Sequence, residues 1–488
     1  MSPLGTDPGA SPPADTTPRT AKRSLSVLVG LLFVLEVVVS VALAWINPQQ
    51  GYDENWYVIN AYRFQGISWL PYAHHRPPLL PLLIAVSGEA RWLLPAIAHV
   101  TGAVFLYLLL GRLTTRGWSA FGLAVYVLCG DLRLYNLFLL TELPTVALML
   151  AALYAFVRRR PAVLGAICAL LVFLHWSLAT FPPVVFAWYV LQRRRSEVRG
   201  YLIGLGAASA PFLAGFTLIY GQPFGPLLDN FAVQQGGAND LGYYLRTFPQ
   251  FPLPVILGAA ALTVAVCRKR RFRLPADLDG LCFLTVGTAA LRLILLHLIV
   301  PKEPRFLLPL LPMLLLLSIL AVVFVIPARS RAAWVAGVVL LLSVLPGRRL
   351  GYTIHDLRRS PTRAIAQLAP QLKKLDPLET VYTELNDLAV MGITARRTVA
   401  VTGPGTWHHP LLGRPSCSRE QVPPGAVYLT FRRGDDLVLA ETAPTRLGTL
   451  ALVRRREAVS AAADRDAVHL YATPPPAAPP RRGTRRDP

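Results

Sequence analysis

Charged residues are scarce in this chain of 488 residues. Asp, Glu, Lys and Arg make up 16% of the chain, whereas hydrophobic residues make up 53%. The mean hydropathy is +0.44. A water-soluble domain cannot bury so large an apolar fraction in its own core. The composition therefore excludes an ordinary soluble protein and predicts one that uses lipid as part of its solvent.

Cysteine is scarce as well. The chain has five cysteines, and they lie far apart in the sequence. Their spacing fits neither a zinc-ligand pattern nor a disulfide framework. The cysteines therefore point to no metal site and no disulfide scaffold.

Long apolar runs are abundant. Six runs approach or exceed the roughly 18 residues that cross a bilayer: 25–46, 92–110, 138–157, 201–220, 281–300 and 306–326. Five shorter or interrupted runs predict further spans: 117–130, 161–175, 178–191, 249–267 and 331–346. The first run is too long for a signal peptide and lacks a small-residue cleavage site, so we expect a retained anchor.

The formal net charge of +22 would suit a nucleic-acid-binding protein, but the distribution of charge argues against one. Basic clusters such as Arg158–Arg160 and Arg193–Arg195 lie between alternate spans, and the intervening loops hold few basic residues. The positive-inside rule then predicts a multi-pass protein of the cell membrane with a cytoplasmic N-terminus and an extracytoplasmic C-terminus. Basic loops of this kind set topology and contact membrane lipid, so we expect no nucleic-acid partner.

The chain is predicted to be an all-α polytopic membrane protein with about 11 transmembrane helices and a small C-terminal extracytoplasmic α/β domain. Four regions follow from composition: a disordered cytoplasmic tail at 1–20, a transmembrane domain at 21–347, the α/β domain at 348–472 and a disordered tail at 473–488. The transmembrane domain has outer loops at 47–91 and 221–248. The α/β domain is predicted to hold a helix at 363–375 and strands at 379–383, 397–402, 426–431, 437–441, 449–453 and 467–471.

The first outer loop carries two weaker structural signals. Residues 54–66 have the apolar spacing of an amphipathic helix that lies at the membrane interface. The apolar run 79–87 is too short to span the membrane alone, which suggests a re-entrant or interfacial segment.

Acidic residues stand at the predicted outer ends of two spans. Asp53 and Glu54 follow the first span, and Glu142 lies in an otherwise apolar stretch. Each has an ordinary interpretation, as a solvated loop acid or as a helix-end acid that suits the helix dipole. The functional interpretation is a catalytic group: Asp53 or Glu54 is placed to act as a general base, and an acid such as Glu142 usually has a partner or a water-filled cavity.

A basic pair lies in the tight outer turn before the run 306–326. Lys302 and Arg305 are three residues apart at a helix start, so they can converge on one anionic group, with Arg acting as a planar fork for phosphate oxygens. Glu303 can orient Arg305. The alternative is that both basic side chains snorkel to lipid headgroups.

Histidines mark the same predicted face. His75 and Arg76 are suited to contact a phosphate, although a structural turn explains them equally well. His175, at the outer mouth of a span, and His297, one turn before Lys302, can line the same cavity. Lone histidines in such positions more often pack between helices.

Four segments carry a family resemblance. Residues 51–57 are similar to an acidic motif after the first span, and residues 76–83 to a Pro-Pro-Leu-Tyr segment before the next apolar run. Glu142 precedes a Leu-Ala-Leu-Tyr-like helix, with Glu where Asp is more usual. Residues 302–306 resemble the His-Lys-Glu-x-Arg-Phe turn of lipid-dependent mannosyltransferases. In these motifs the chain resembles the GT-C superfamily of polytopic glycosyltransferases, in the branch of the protein O-mannosyltransferases and aminoarabinose transferases.

The resemblance covers residues 25–346, and Pro301 stands where the turn's His would be. It implies transfer of a mannose- or arabinose-type sugar from a polyprenyl-phosphate donor to an extracytoplasmic glycan, lipid or protein acceptor, with inversion. Asp53 would accept the acceptor proton, while Lys302 and Arg305 would hold the phosphate. Some relatives use a divalent metal and others do not, so the sequence predicts no certain cofactor.

Two other classes remain open. A transporter or flippase of lipid-linked or anionic solutes would need charged groups near the bilayer midplane, and Glu36 is the candidate acid deep within a span. A non-catalytic assembly or sensor protein would need only the C-terminal domain.

Overall fold

The protein is described here by a computed structural model. It describes residues 19–46, 52–67, 70, 72–73, 75–234, 276–298, 304–324, 331, 350, 353–354, 361–376, 379–384, 387–402, 416–418, 421–431, 441–445 and 448–454. The chain forms two compact units. The first unit comprises 1–47 and 73–354, and the second comprises 48–72 and 355–488. Residues 48–72 thus belong with the C-terminal unit, whereas the sequence analysis places them in an outer loop of the transmembrane domain.

The first unit is helical throughout its described part. Its α-helices, in chain order, are α1 (Arg19–Ile46), α3 (Leu79–Ser87), α4 (Leu94–Leu113), α5 (Arg116–Leu128), α6 (Gly130–Tyr135), α7 (Glu142–Val157), α8 (Pro161–Leu174), α9 (Phe181–Leu191), α10 (Arg195–Tyr220), α11 (Gly225–Gln234), α12 (Ala276–Leu298) and α13 (Leu311–Phe324). Short 3₁₀ helices cover Gly88–Leu93, Trp176–Thr180 and Pro304–Leu310. A large core of Leu, Val, Ala and aromatic side chains joins α4, α5, α7, α8, α9, α12 and α13.

Four helical stretches within the described ranges are long and apolar enough to cross a membrane: Arg23–Ile46, Leu79–Leu113, Arg195–Tyr220 and Leu278–Leu296. Four more are apolar but shorter. The helical, apolar character fits a polytopic membrane protein, as the sequence predicts. The count of 11 spans stays a prediction, because the run 249–267 and nearly all of 331–346 lie outside the described residues.

The run 79–87 is not an isolated segment. It forms α3, which continues through the 3₁₀ turn into α4, so that Leu79–Leu113 is one helical stretch of 35 residues. Gly88 has a φ of 54° and Pro95 lies in the first turn of α4. A positive φ and a proline without an N–H both interrupt α-helical hydrogen bonding, which explains why a 3₁₀ segment, Gly88–Leu93, separates the two α-helices.

Helices α8 and α10 approach each other at glycines. A Cβ added to Gly204 would lie 1.8 Å from the carbonyl oxygen of Ala162, and one added to Gly165 would lie 2.0 Å from that of Tyr201. Both distances are far inside van der Waals contact. The two helices can therefore pack at this separation only because these positions lack side chains.

Replacing Gly204 with Ala is therefore expected to lower the free energy of unfolding by about 1 to 3 kcal/mol, because the added methyl pushes α10 away from α8. Gly206 lies on the same helix with nothing within 4 Å of its added Cβ. Gly206→Ala should leave stability unchanged or raise it slightly, since glycine is less favourable than alanine within a helix. Thermal unfolding of both variants in detergent checks the difference, and equal melting temperatures would contradict it.

The second unit contains a six-stranded sheet in the order β3-β2-β1-β4-β6-β5. Its strands are β1 (Val381–Thr383), β2 (Thr398–Thr402), β3 (Ser416–Ser418), β4 (Val427–Phe431), β5 (Glu441–Thr445) and β6 (Gly448–Arg454). The first four pair in parallel, and β4, β6 and β5 pair antiparallel. Two helices, α14 (Pro361–Lys374) and α15 (Asp387–Thr394), pack with the sheet around a small apolar core.

Helix α2 (Tyr52–Phe64) also belongs to this unit. It packs against α15, and the Tyr62 hydroxyl donates a hydrogen bond of 3.2 Å to the carbonyl oxygen of Gly392. Every residue from Glu54 to Ala61 is buried. The sequence analysis is right about the helix but wrong about its surroundings, because an interfacial amphipathic helix would expose one whole face.

Candidate active site

An ion pair joins two of the segments singled out in the sequence. Glu142 begins α7, and Arg305 lies in the first turn of the 3₁₀ helix Pro304–Leu310. The Nε of Arg305 lies 3.6 Å from Oε1 of Glu142. The Glu142 side chain is 3% exposed and that of Arg305 is 17% exposed. This separation is too long for a hydrogen bond, so the contact is ionic, and it leaves part of the guanidinium accessible to a ligand.

Arg292 holds the turn that carries Arg305. It lies in α12, is fully buried, and donates from Nε and Nη2 to the carbonyl oxygen of Phe306 at 2.8 and 2.5 Å. A cation inside an apolar span is costly and therefore needs a role. The sequence analysis missed Arg292, although an arginine in the apolar run 281–300 is a signal that could have found it.

His175 and His75 lie near the same turn. His175 follows α8, its Nδ1 is 2.8 Å from the Ser177 hydroxyl, and its ring meets that of Phe306 edge-on at 6.2 Å. The indole N–H of Trp176 donates to the carbonyl oxygen of His75 at 2.9 Å. His75 thus contacts Trp176, the sequence neighbour of His175, and His175 contacts Phe306, the sequence neighbour of Arg305. These contacts place His75, His175, Arg305 and Glu142 in one region of the first unit.

The length of α7 can be compared with the thickness of a membrane. On the predicted topology, α7 rises from the basic surface at Arg158, and its 16 residues extend about 24 Å. The hydrocarbon layer is about 30 Å thick. On that topology α7 is shorter than the layer is thick, so Glu142, at its start, lies short of the far boundary.

A second buried polar network lies beneath the segment that leads to Glu142. The carboxylate of Glu36 in α1 accepts hydrogen bonds from the Arg133 guanidinium, from Nδ1 of His99 and, at 2.8 Å, from the Ser40 hydroxyl. Nε of Arg133 also donates to the carbonyl oxygen of Val127 at 2.8 Å. Glu36 is thus neutralised by an ion pair, which gives the acid deep within a span a structural role.

The network fixes the connection between α5 and α7. Arg133 lies in α6, and its Nη1 donates to Ser40 Oγ at 2.9 Å. Asn136, just after α6, donates from Nδ2 to the carbonyl oxygen of Ser40 at 3.1 Å. The segment between Arg133 and Glu142 is therefore tied to α1. The sequence analysis did not foresee this pairing.

The remaining predicted site residues belong to the second unit, lie elsewhere in the sequence of the first unit, or are not described. Asp53 and Glu54 lie in the first turn of α2 in the second unit, with Glu54 fully buried and Asp53 half-buried. Arg76 is half-buried in the first unit, and His297 belongs to α12. Lys302 and Glu303 lie outside the described residues. Within the described ranges, no group of His, Cys, Asp or Glu side chains could hold a metal ion.

No protein-family profile and no characterised protein sequence matches the chain. Solved structures do match it. ArnT from Cupriavidus metallidurans bound to undecaprenyl phosphate matches with a TM-score of 0.61 and 14% identity, over 88% of this chain and 98% of that one. The apo state of the same protein gives a TM-score of 0.59 over 89% and 98%.

A second protein shares the fold. The oligosaccharyltransferase AglB from Archaeoglobus fulgidus, in complex with an inhibitory peptide and a dolichol-phosphate, matches with a TM-score of 0.52 and 11% identity. The match covers 78% of this chain and 65% of that chain. Both proteins are members of the GT-C superfamily. This chain therefore shares its fold with these two proteins, whose superfamily its sequence motifs resemble.

Proposed function

We propose that the protein is a membrane glycosyltransferase that moves a sugar from a polyprenyl-phosphate donor to an extracytoplasmic acceptor. The observation that carries the proposal is the Glu142–Arg305 pair, which holds a partly exposed guanidinium beside a buried carboxylate. The fold is shared with a protein whose structure contains undecaprenyl phosphate. The motif resemblance narrows the sugar to a mannose or arabinose type.

Arg305 is the group best suited to bind the donor phosphate. Its charge is balanced by Glu142, and Arg292 fixes the backbone of the next residue. A guanidinium held in this way can present two N–H groups to phosphate oxygens. These N–H groups are in place before the reaction begins, so they stabilise the negative charge that develops on the phosphate as the anomeric bond breaks. Lys302, His75 and Arg76 would add further contacts to the same phosphate.

The reaction forms one bond and breaks one. The acceptor hydroxyl oxygen attacks the anomeric carbon, the bond from that carbon to the phosphate oxygen breaks, and polyprenyl phosphate leaves with the electron pair. The hydroxyl proton passes to the carboxylate of Asp53, with Glu54 beside it in the sequence. Attack opposite to the phosphate inverts the anomeric configuration. Phosphate is a good leaving group, so the step needs no general acid.

Wild-type protein in liposomes is expected to transfer label from a radiolabelled polyprenyl-phosphate sugar to a cell-envelope acceptor and to release polyprenyl phosphate. Asp53→Asn removes the proposed base and should slow transfer by about 100-fold or more. Asp279→Asn, at an exposed position of α12, is the matched control and should transfer at the wild-type rate. The assay measures label in the acceptor over time.

The alternatives give different results in the same assay. Equal transfer by wild type and Asp53→Asn would remove Asp53 as the base. Label that crosses the liposome membrane without joining the acceptor would instead support a transporter. An acceptor left unlabelled by every donor would reject the glycosyltransferase proposal for those sugars.

A further inference from the structure

Two arginine turns have the same backbone structure. One is Arg158–Arg160, between α7 and α8, and the other is Arg193–Arg195, at the junction of α9 and α10. In each turn one arginine adopts a left-handed backbone, with φ of 51° at Arg159 and 54° at Arg193. The N–H groups of Arg159 and Arg160 bond to the carbonyls of Phe156 and Ala155, both at 3.0 Å.

The second turn repeats this pattern. The N–H groups of Arg193 and Arg194 bond to the carbonyls of Val190 and Tyr189, at 2.9 and 3.0 Å. This pair of bonds is the Schellman motif, in which the left-handed position is usually glycine. An L-residue is strained there, whereas glycine is not. Arginine at this position in both turns indicates that the side chain has a use.

The two turns lie side by side. The rings of Phe156 and Tyr189, whose carbonyls accept the turn hydrogen bonds, meet with centroids 6.2 Å apart. The helices that follow the turns, α8 and α10, are in close contact at Gly204. Both turns therefore stand at the same end of one group of helices.

The surface formed by these turns is strongly basic. Arg159, Arg160, Arg193 and Arg195 are exposed, as is Arg199 one turn into α10. From Arg158 to Arg199 the sequence contains seven arginines and a single acid, Glu197, which accepts a hydrogen bond of 2.8 Å from Ser196. Exposed apolar side chains adjoin the turns, namely Val163, Val190 and Leu191. Cationic forks beside exposed aliphatic groups match a phospholipid, with its phosphate at the forks and its acyl chains along the helices.

We propose that the two arginine turns together bind the headgroup of an anionic phospholipid, with a preference for a headgroup that carries two phosphates, one for each turn. On the predicted topology this site lies at the cytoplasmic surface, on the opposite side from the candidate active site. The inference does not depend on the proposed function. It differs from a topological role of the arginines, because orientation in the membrane requires neither left-handed backbones nor adjacent turns.

The test replaces Arg159 and Arg193 with Gly in one full-length variant. Glycine relaxes both turns, so the variant should fold at least as well as wild type, and five arginines of the surface remain to maintain topology. Cardiolipin added to detergent-purified protein should raise the Tm of wild type but not of the variant, and cardiolipin retained in native mass spectrometry should fall about tenfold for the variant. Phosphatidylglycerol, with one phosphate, should bind wild type more weakly.

The matched control is Arg112→Gln with Arg116→Gln, which removes two exposed positive charges from the same predicted face. This control should keep its response to cardiolipin. An equal loss in the control would show a general charge effect and overturn the proposal. Unchanged cardiolipin binding in the Arg159→Gly, Arg193→Gly variant would overturn it as well, and a reporter fused to the C-terminus checks that orientation is the same in all proteins.

Discussion

Arg305→Ala is expected to slow sugar transfer by roughly 1,000-fold, and Glu142→Gln by roughly 100-fold, because both remove charge stabilisation at the donor phosphate. Arg305 is proposed to contact the phosphate itself. Glu142 is proposed to act through Arg305, since its buried carboxylate faces Nε of the guanidinium at 3.6 Å. Initial rates at several donor concentrations measure both effects, and Glu89→Gln, at an exposed position, is the matched control for the loss of one carboxylate.

The double variant Arg305→Ala, Glu142→Gln distinguishes a positioning role for Glu142 from direct participation in the reaction. If Glu142 serves only to hold Arg305, the double variant should be no slower than Arg305→Ala alone, because residues that act as a unit are not additive. If Glu142 takes part in proton transfer on its own, the two losses should multiply to roughly 100,000-fold. A multiplied loss would therefore contradict the positioning role and return Glu142 to the set of catalytic acids.

The sequence predicts that Glu142 and Arg305 share a face but not that they pair. Both stand at span ends that the distribution of basic residues assigns to one side, which is an argument about topology alone. The choice of partner depends on how helices pack, and periodicity does not encode it. Glu303, the neighbour in sequence, was the expected partner of Arg305 and lies outside the described residues. The partner that the structure describes is Glu142, which is distant in sequence.

Helix α2 shows the same limit. Its apolar spacing is clear in the sequence, so the helix itself is predictable. Its partner α15 is distant in sequence, because the hydrogen bond from Tyr62 to Gly392 joins residues 330 positions apart. No local pattern reports such a contact. As a result, the acids Asp53 and Glu54 belong to the C-terminal unit rather than to the helical unit.

Strand prediction in the C-terminal unit depends on local composition. Runs rich in β-branched and aromatic residues, such as 398–402 and 427–431, form strands close to the predicted ranges. Strand β3, Ser416–Ser418, was missed because three small polar residues carry no apolar alternation. Of the strand predicted at 437–441 only Glu441 is described, and it begins β5, Glu441–Thr445, which pairs with β6.

Glu36→Gln is expected to lower the free energy of unfolding by about 3 to 5 kcal/mol, because it leaves the buried Arg133 guanidinium without its anionic partner. The side chains of Glu36 and Arg133 are 0% and 6% exposed, so water cannot replace the lost charge. Arg133→Leu should be similarly destabilising, since it leaves the buried Glu36 carboxylate without its guanidinium partner. Thermal unfolding in detergent measures the loss, and Glu89→Gln is the exposed control.

Stability and activity should separate in the double variant Glu36→Leu, Arg133→Leu. Removing both charges replaces a desolvated ion pair with apolar contacts, which is often neutral or stabilising, so the melting temperature should return towards that of wild type. The anchor of α6 is still absent, because Arg133 no longer bonds to Ser40 and Val127. The segment that ends at Glu142 is then held less firmly. Sugar transfer, measured well below the melting temperature, should therefore remain at least about tenfold slower than in wild type. A stable double variant with the wild-type rate would show that the network serves stability alone and does not position the Glu142–Arg305 pair.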